Sequence, residues 1–185
     1  MKDDRLADEW LMNAAARGNR DSMNRLVCRY AGPLLTFIQR MIGDRHRSEE
    51  LFQDVFLAAW NSRRAYRYPR PFRSWLFGIA MNKCRADFRK QRRTPVAVED
   101  CPAEVLVSGE PSPAETVIDA ETATMVATAV ARLPAAQRAV VVLRVYNGLS
   151  YREIAQITVR TENTVRSHMF HALRAMRKYL EPRMK

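Results

Sequence analysis

The segment from Thr94 to Glu121 contains no lysine or arginine, seven acidic residues and four of the chain's nine prolines. Proline interrupts helices and strand ladders alike, so this stretch suits an extended connection better than a core. What packs in this chain must pack on either side of it. On both sides apolar residues recur at intervals of three and four, and the 185 residues hold only six glycines. That period belongs to helices rather than strands. The expectation is an all-α protein of two small helical domains, residues 1–93 and 119–185, joined by an extended acidic linker over residues 94–118.

Charge divides the chain in the same places. Residues 1–93 carry 20 Lys/Arg against 10 Asp/Glu, and residues 122–185 carry 11 against 3, so two basic blocks of net +10 and +8 flank a segment of −7. Solvated basic faces would explain one small excess; two separate ones favour a polyanion, with nucleic acid ahead of a membrane surface. No apolar run reaches the ~18 residues of a membrane span. The start, MKDDRLADEW, lacks the apolar heart of a signal peptide, so a cytoplasmic protein is expected. The three cysteines, Cys28, Cys84 and Cys101, show no C-x-x-C spacing and suggest neither a disulfide framework nor a zinc site. No metal and no cofactor are expected.

Along the first block, LADEWLMNAAARG reads as a helix closed by Gly18, and the helix that follows should be kinked or divided at Pro33. SEELFQDVFLAAW should begin a third helix, with its acids in the first turn where the helix dipole favours them. YPRPFRS breaks the pattern, and a long helix with a basic tail follows. In the second block, Pro134 opens a helix that Gly148 closes.

LSYREIAQITVRTENTVRSHMFHALRAMRKYL, Leu149 to Leu180, reads as two helices with a sharp break near Thr158. Ser150 and Glu153 fit a capping box. Val165, Met169, Ala172, Leu173, Met176 and Leu180 fall in one apolar stripe of the second helix. Asn163, Ser167, His171 and Arg174 fall on its other side, with Arg166 and Phe170 at the margin, and these suit base edges and phosphates of a major groove. An ordinary α-hairpin with a solvated outer face would show a similar stripe; the basic excess of this block tips the balance to DNA. His168 and His171 stand three apart with no third ligand in view, too little for zinc.

In SEELFQDVFLAAWNSRRAYRYPRPFRSWLFGIAMNKCRADFRKQRR, an acidic helix is followed by aromatics interleaved with Arg and Lys. Rings stack on bases while cations follow phosphates, which is what single-stranded DNA requires. Trp60 and Trp75 are assigned to a core; Tyr66 and Phe77, beside so many cations, are expected to face a nucleic acid.

These motifs together resemble the extracytoplasmic-function group of bacterial sigma factors of the sigma-70 family. SEELFQDVFLAAW resembles the group's segment that docks on the clamp helices of RNA polymerase, FRSWLFGIAMNKCRADFRKQRR its minus-ten segment, and ARLPAAQRAVVVLRVYNGLSYREIA with the next helix its minus-thirty-five domain. The resemblance implies polymerase contacts from Glu49, Glu50, Leu51, Gln53, Asp54 and Phe56, with the beta-prime clamp helices and the beta flap as partners. It implies a pocket for a flipped-out minus-ten base bounded by Tyr66, Phe77 and Asn82, with Lys83, Arg85, Arg89, Arg92 and Arg93 beside it on DNA. It implies minus-thirty-five contacts from Asn163, Arg166, Ser167, Phe170, His171 and Arg174. The acidic linker would run through the polymerase's basic RNA-exit path, and an anti-sigma factor, at the membrane or free, would control the protein. The chain departs from the family at the turn: Val159 stands where glycine is usual and Arg160 where an apolar residue is usual. Because a β-branched residue resists positive φ, a remodelled turn is expected.

The resemblance implies a transcription initiation factor rather than an enzyme, with promoter DNA as its ligand and no small-molecule substrate. Its rivals are a stand-alone dimeric helix-turn-helix regulator and a helical adaptor with incidental basic charge.

Overall fold

The computed structural model describes residues 7–93 and 115–183, with side chains over 7–91 and 121–183. All regular structure among them is helical. The first group comprises α1 (Asp8–Ala16), α2 (Arg20–Ile42), α3 (Arg45–Asn61) and α4 (Phe72–Arg93). The second comprises α5 (Glu115–Ala131), α6 (Ala135–Val141), α7 (Tyr151–Thr158) and α8 (Glu162–Leu180). Residues 94–114 of the expected linker lie outside the described residues; α5 begins inside the span assigned to that linker.

Local chemistry sets the helix ends. Asn19 caps α2, its side chain accepting from Ser22 N at 3.0 Å, and Gly43 closes it in the left-handed region at φ +82°. Asp44 follows at once as the cap of α3, accepting from Arg47 N at 2.6 Å. That cap moves the start of α3 back to Arg45, so Glu49 and Glu50 sit beyond the first turn, contrary to expectation. The first N–H of α4, from Phe72, is satisfied at 3.2 Å by Glu9 of α1, 63 residues away. Pro33 neither divides nor ends α2, which runs unbroken for 23 residues. A proline inside a helix costs about 3 kcal/mol. Burial of Tyr30, Leu34, Phe37 and Ile38 around it, at roughly 1.5–3 kcal/mol for each large apolar side chain, outweighs that loss.

Between α6 and Gly148 the helix widens into a π-helical turn over Val142–Tyr146, which the sequence pattern does not announce. This turn lies against α2, and α7 lies against α4, so the buried side chains of the two groups form one continuous apolar cluster. Hydrogen bonds to main-chain carbonyls tie the groups together. Arg138 of α6 donates to Met41 O at the end of α2 (2.7 Å), and also to Ala131 O and Leu133 O at the end of α5. Asn147 donates to Pro33 O at 3.0 Å, and its own carbonyl accepts from Arg73 of α4. Arg85 of α4 donates to Thr158 O at 2.9 Å. Burial lowers the pKa of Arg138 from its ordinary value.

Among the described residues no helix is long and apolar enough to cross a membrane, and no group of three or more His, Cys, Asp or Glu is arranged to hold a metal. Cys84 is buried in the core, and burial pushes its thiol up to about 12, so it is inert. Cys28 is exposed, and Cys101 lies outside the described residues.

Candidate nucleic-acid interface

The α7–α8 pair is built by its caps. The Ser150 side chain accepts from Glu153 N at 3.2 Å while the Glu153 carboxylate accepts from Ser150 N at 2.8 Å, a complete capping box. Burial draws the Glu153 carboxyl upward, but the hydrogen bonds from Ser150 prevail and hold it below the usual carboxylate range. α7 ends at Thr158, and Val159 takes φ +55°, ψ +54°. The turn is therefore not remodelled. Valine adopts the left-handed conformation itself, because Ala155 O must receive the N–H groups of Val159 and Arg160 to close the helix. Thr161 then caps α8, accepting from Thr164 N at 3.2 Å.

On α8, Val165, Met169 and Ala172 are buried, with Met176 and Leu180 half-buried. Leu173, expected in that stripe, is exposed, at the margin of the stripe. Asn163, Arg166, Ser167, Phe170, His171 and Arg174 are all exposed, and their spacing of three and four residues lines one helix face. Phe170 is 64% exposed, large for an aromatic, with the ring of His171 edge-on at 5.5 Å. Arg166 lies over the Tyr151 ring at 4.6 Å and 3.9 Å from the Glu162 carboxylate, so one guanidinium is held at the head of the face without being committed to a strong partner.

The outer face of α3 carries Glu49, Glu50, Gln53 and Asp54, all exposed. Each acid already has a cation: Arg45 with Glu49 at 3.1 Å, Arg47 with Glu50 at 2.5 Å, and Lys83 of α4 with Asp54 at 3.2 Å. Leu51, expected on this surface, is instead buried, because its spacing with Ser48 and Val55 puts it on the core side of α3. Phe56 is half-buried, its ring 5.1 Å from that of Phe52. Leu57, which the apolar pattern groups with Leu51 and Val55 on one side of the helix, is instead 59% exposed on the acidic face. Its spacing from Glu50 and Gln53 (seven and four residues) was the available signal.

The expected base pocket is not assembled as foreseen. Phe77 has no exposed surface and packs edge-on to Phe37 at 5.5 Å. Tyr66, 7% exposed, sits edge-on to Trp75 at 5.4 Å and donates its hydroxyl to Arg70 O; burial pushes its pKa up to about 12. Both rings belong to the core, as does Phe72, while Trp75 and Trp60 are half-buried against it. Asn82 is exposed, and five residues round a helix of 3.6 per turn is about 140°, so it and Phe77 point to different sides of α4. Arg89 is exposed and Lys83 half-exposed on the same helix. Arg85 is occupied by Thr158 O, and its pKa is lowered by burial and then by the neighbouring Arg160 and Arg89. The side chains of Arg92 and Arg93 lie outside the described residues.

An exposed recognition-type helix on a capped helix-turn-helix, beside a helical unit with an acidic face and a basic one, marks a helical DNA-binding protein with a protein partner. Family models agree on which kind. The one described as "Sigma-70 region 2" matches residues 26–94, and the one described as "Sigma-70, region 4" matches residues 123–176. The RNA polymerase sigma-H factor of Pseudomonas aeruginosa is 28% identical over 182 residues, covering 95% of this chain and 94% of its own. The ECF RNA polymerase sigma-E factor of Escherichia coli is 29% identical over 188 residues, covering 97% of each. Among solved structures, CnrH in complex with the cytosolic domain of CnrY has the same fold, with a TM-score of 0.73 and 24% identity over 96% of this chain and 99% of that one. The chain belongs to the sigma-70 family.

Proposed function

We infer that the chain is an alternative sigma factor that directs RNA polymerase to its own class of promoters and is controlled by an anti-sigma factor. The observation that carries this reading is the pairing of region 2 and region 4 matches, in that order, with an α8 face left wholly open to solvent. In this reading the labour divides among three surfaces. The acidic face of α3, with Glu49, Glu50, Gln53, Asp54 and the apolar Leu57, docks on the polymerase clamp; Leu51 supports that helix from inside. Asn82, Lys83, Arg85 and Arg89, with Arg92 and Arg93, serve the minus-ten strand. Asn163, Arg166, Ser167, Phe170, His171 and Arg174 read the minus-thirty-five duplex. The domains are residues 1–93 and 119–185 with the acidic linker between them, and the protein acts in the cytoplasm.

Two weak DNA contacts become useful once polymerase fixes their spacing, so the free protein needs little affinity of its own. One similar structure, the sigma factor RpoE from Bartonella quintana, was solved in complex with the anti-sigma factor NepR, which suits control of this chain by such a partner. Run-off transcription with core polymerase tests the reading: promoter-specific transcripts are expected, and their absence overturns it. In the same assay Arg166→Ala should change the upstream element preferred, at about 1–3 kcal/mol for a lost base contact. An unchanged preference removes that residue from the reading face.

A further inference from the structure

We propose that Asp87, buried between α3 and α4, is a positioning residue for polymerase docking: it holds Arg47, and through Arg47 it keeps the Glu50 carboxylate in place and available to a cation on the polymerase. This deepens the proposed function and rests on the α3 face being the docking surface. Asp87 is 3% exposed. One of its oxygens accepts from Arg47 Nε and Nη2, both at 2.6 Å, and the other accepts from Gln91 Nε2 at 3.0 Å. The free end of the same guanidinium donates from Nη1 to Glu50 at 2.5 Å. Four side chains thus form one continuous network, from the tail of α4 to the outer face of α3.

A buried ion pair by itself is a poor stabiliser, since an apolar pair of similar volume holds two helices at least as well. Here one cation serves two carboxylates of unequal standing. Asp87 takes a whole edge of the guanidinium inside the protein, whereas Glu50 takes one N–H with its side chain 65% exposed. A hydrogen bond in a low-dielectric site is stronger than one at the surface, so Arg47 belongs to Asp87 first. The bond to Asp87, then that to Glu50, hold the Arg47 pKa above its ordinary value against the effect of burial. The backbone of Arg47 is fixed as well, its N–H donating to the cap Asp44 at 2.6 Å.

The other acids of the face are held differently. Glu49 and Asp54 meet Arg45 and Lys83 at 3.1 and 3.2 Å, with both partners of each pair at the surface, and such pairs part at little cost. Of these three acids, Glu50 is the one whose cation is held in turn by a buried group. A carboxylate already in place spares the ordering entropy that a loose side chain loses on docking, worth about 3- to 10-fold in affinity. Sharing matters as much as placing. With Asp87 uncharged, the guanidinium can turn wholly to Glu50, and the face then offers less charge to a polymerase cation. Forty residues separate Arg47 from Asp87, so no local pattern announces the pair.

The test is the affinity of the full chain for core polymerase, measured by competition with a labelled sigma factor, in a double-mutant cycle of Asp87→Asn and Glu50→Gln. Asp87→Asn keeps the shape and an acceptor for Arg47 while removing the charge. It should weaken core binding about 3- to 10-fold on its own, and by less than about 2-fold in the Glu50→Gln background. In an Asp54→Asn background the effect of Asp87→Asn should be undiminished. Melting curves of each variant measure any loss of folded protein, which the cycle cancels because it is common to both backgrounds. Equal loss with and without Glu50→Gln would make Asp87 a structural residue only. No loss in either, or the same dampening by Asp54→Asn, would deny the link through Arg47. Each of these overturns the proposal and leaves the protein a sigma factor. Absence of promoter-specific transcripts from the wild type would instead overturn the function on which it rests.

Discussion

Val159 holds a backbone conformation that β-branched residues avoid, at a cost of roughly 1–2 kcal/mol relative to glycine. It is 80% exposed, so no packing offsets that cost. Val159→Gly relieves it but returns roughly 0.5–1 kcal/mol through the more flexible unfolded chain. A net gain of up to about 1 kcal/mol is expected, or a rise of about 2–4 °C in melting temperature. Val159→Asn, which tolerates the same φ, should do at least as well. Lower melting temperatures for both would show that the valine makes an interaction worth more than its strain. Single residues were also where sequence reading erred most. Cations beside Tyr66 and Phe77 in the chain suggested a wet surface, yet on a helix sequence neighbours point different ways, and both rings turn inward. The polar face of α8 was legible because six side chains share one 3.6-residue period; Leu173, at the margin of the apolar stripe, was not.

At the scale of the element, the caps that start α7 and α8 hold the reading helix in place. Because the folded Glu153 carboxyl titrates below its unfolded value, its contribution is complete above the unfolded pKa and is lost as pH falls through the folded one. Thermal stability should therefore decline on acidification below about pH 4.5, the ordinary value for a glutamate, and part of that decline should vanish in Ser150→Ala. At neutral pH the same substitution should cost about 1 kcal/mol, the usual worth of a helix cap. An unaltered pH profile would mean that Glu153 is not titrating within the box. This capping box was readable in advance, since Ser and Glu three apart before an apolar run admit few other roles. The π-helical turn after α6, where Val142–Tyr146 packs against the distant α2, carries no local sequence mark.

At the scale of the whole molecule, the sequence divided the chain correctly in charge but concealed how the halves meet. The acceptors at that seam are carbonyl oxygens of Met41, Pro33, Asn147 and Thr158, and a main-chain oxygen is the same in every residue. Arg138 is the strongest tie: a half-buried guanidinium serving the ends of α2 and α5 with no carboxylate partner among its recorded bonds. Arg138→Ala removes those bonds and strands three carbonyls, for an expected loss of about 2–4 kcal/mol. Small-angle scattering should register a larger radius of gyration, and one identical to wild type would deny that Arg138 clamps the halves.

Arg85 carries the remaining consequence. Thr158 O occupies one edge of a guanidinium that a promoter phosphate would also use. The donor that stays on Thr158 O is not offered to the minus-ten strand, so a closed seam weakens the contact proposed for Arg85. Opening the seam would present the whole guanidinium to DNA, so the way the halves meet sets how much of Arg85 a promoter can engage.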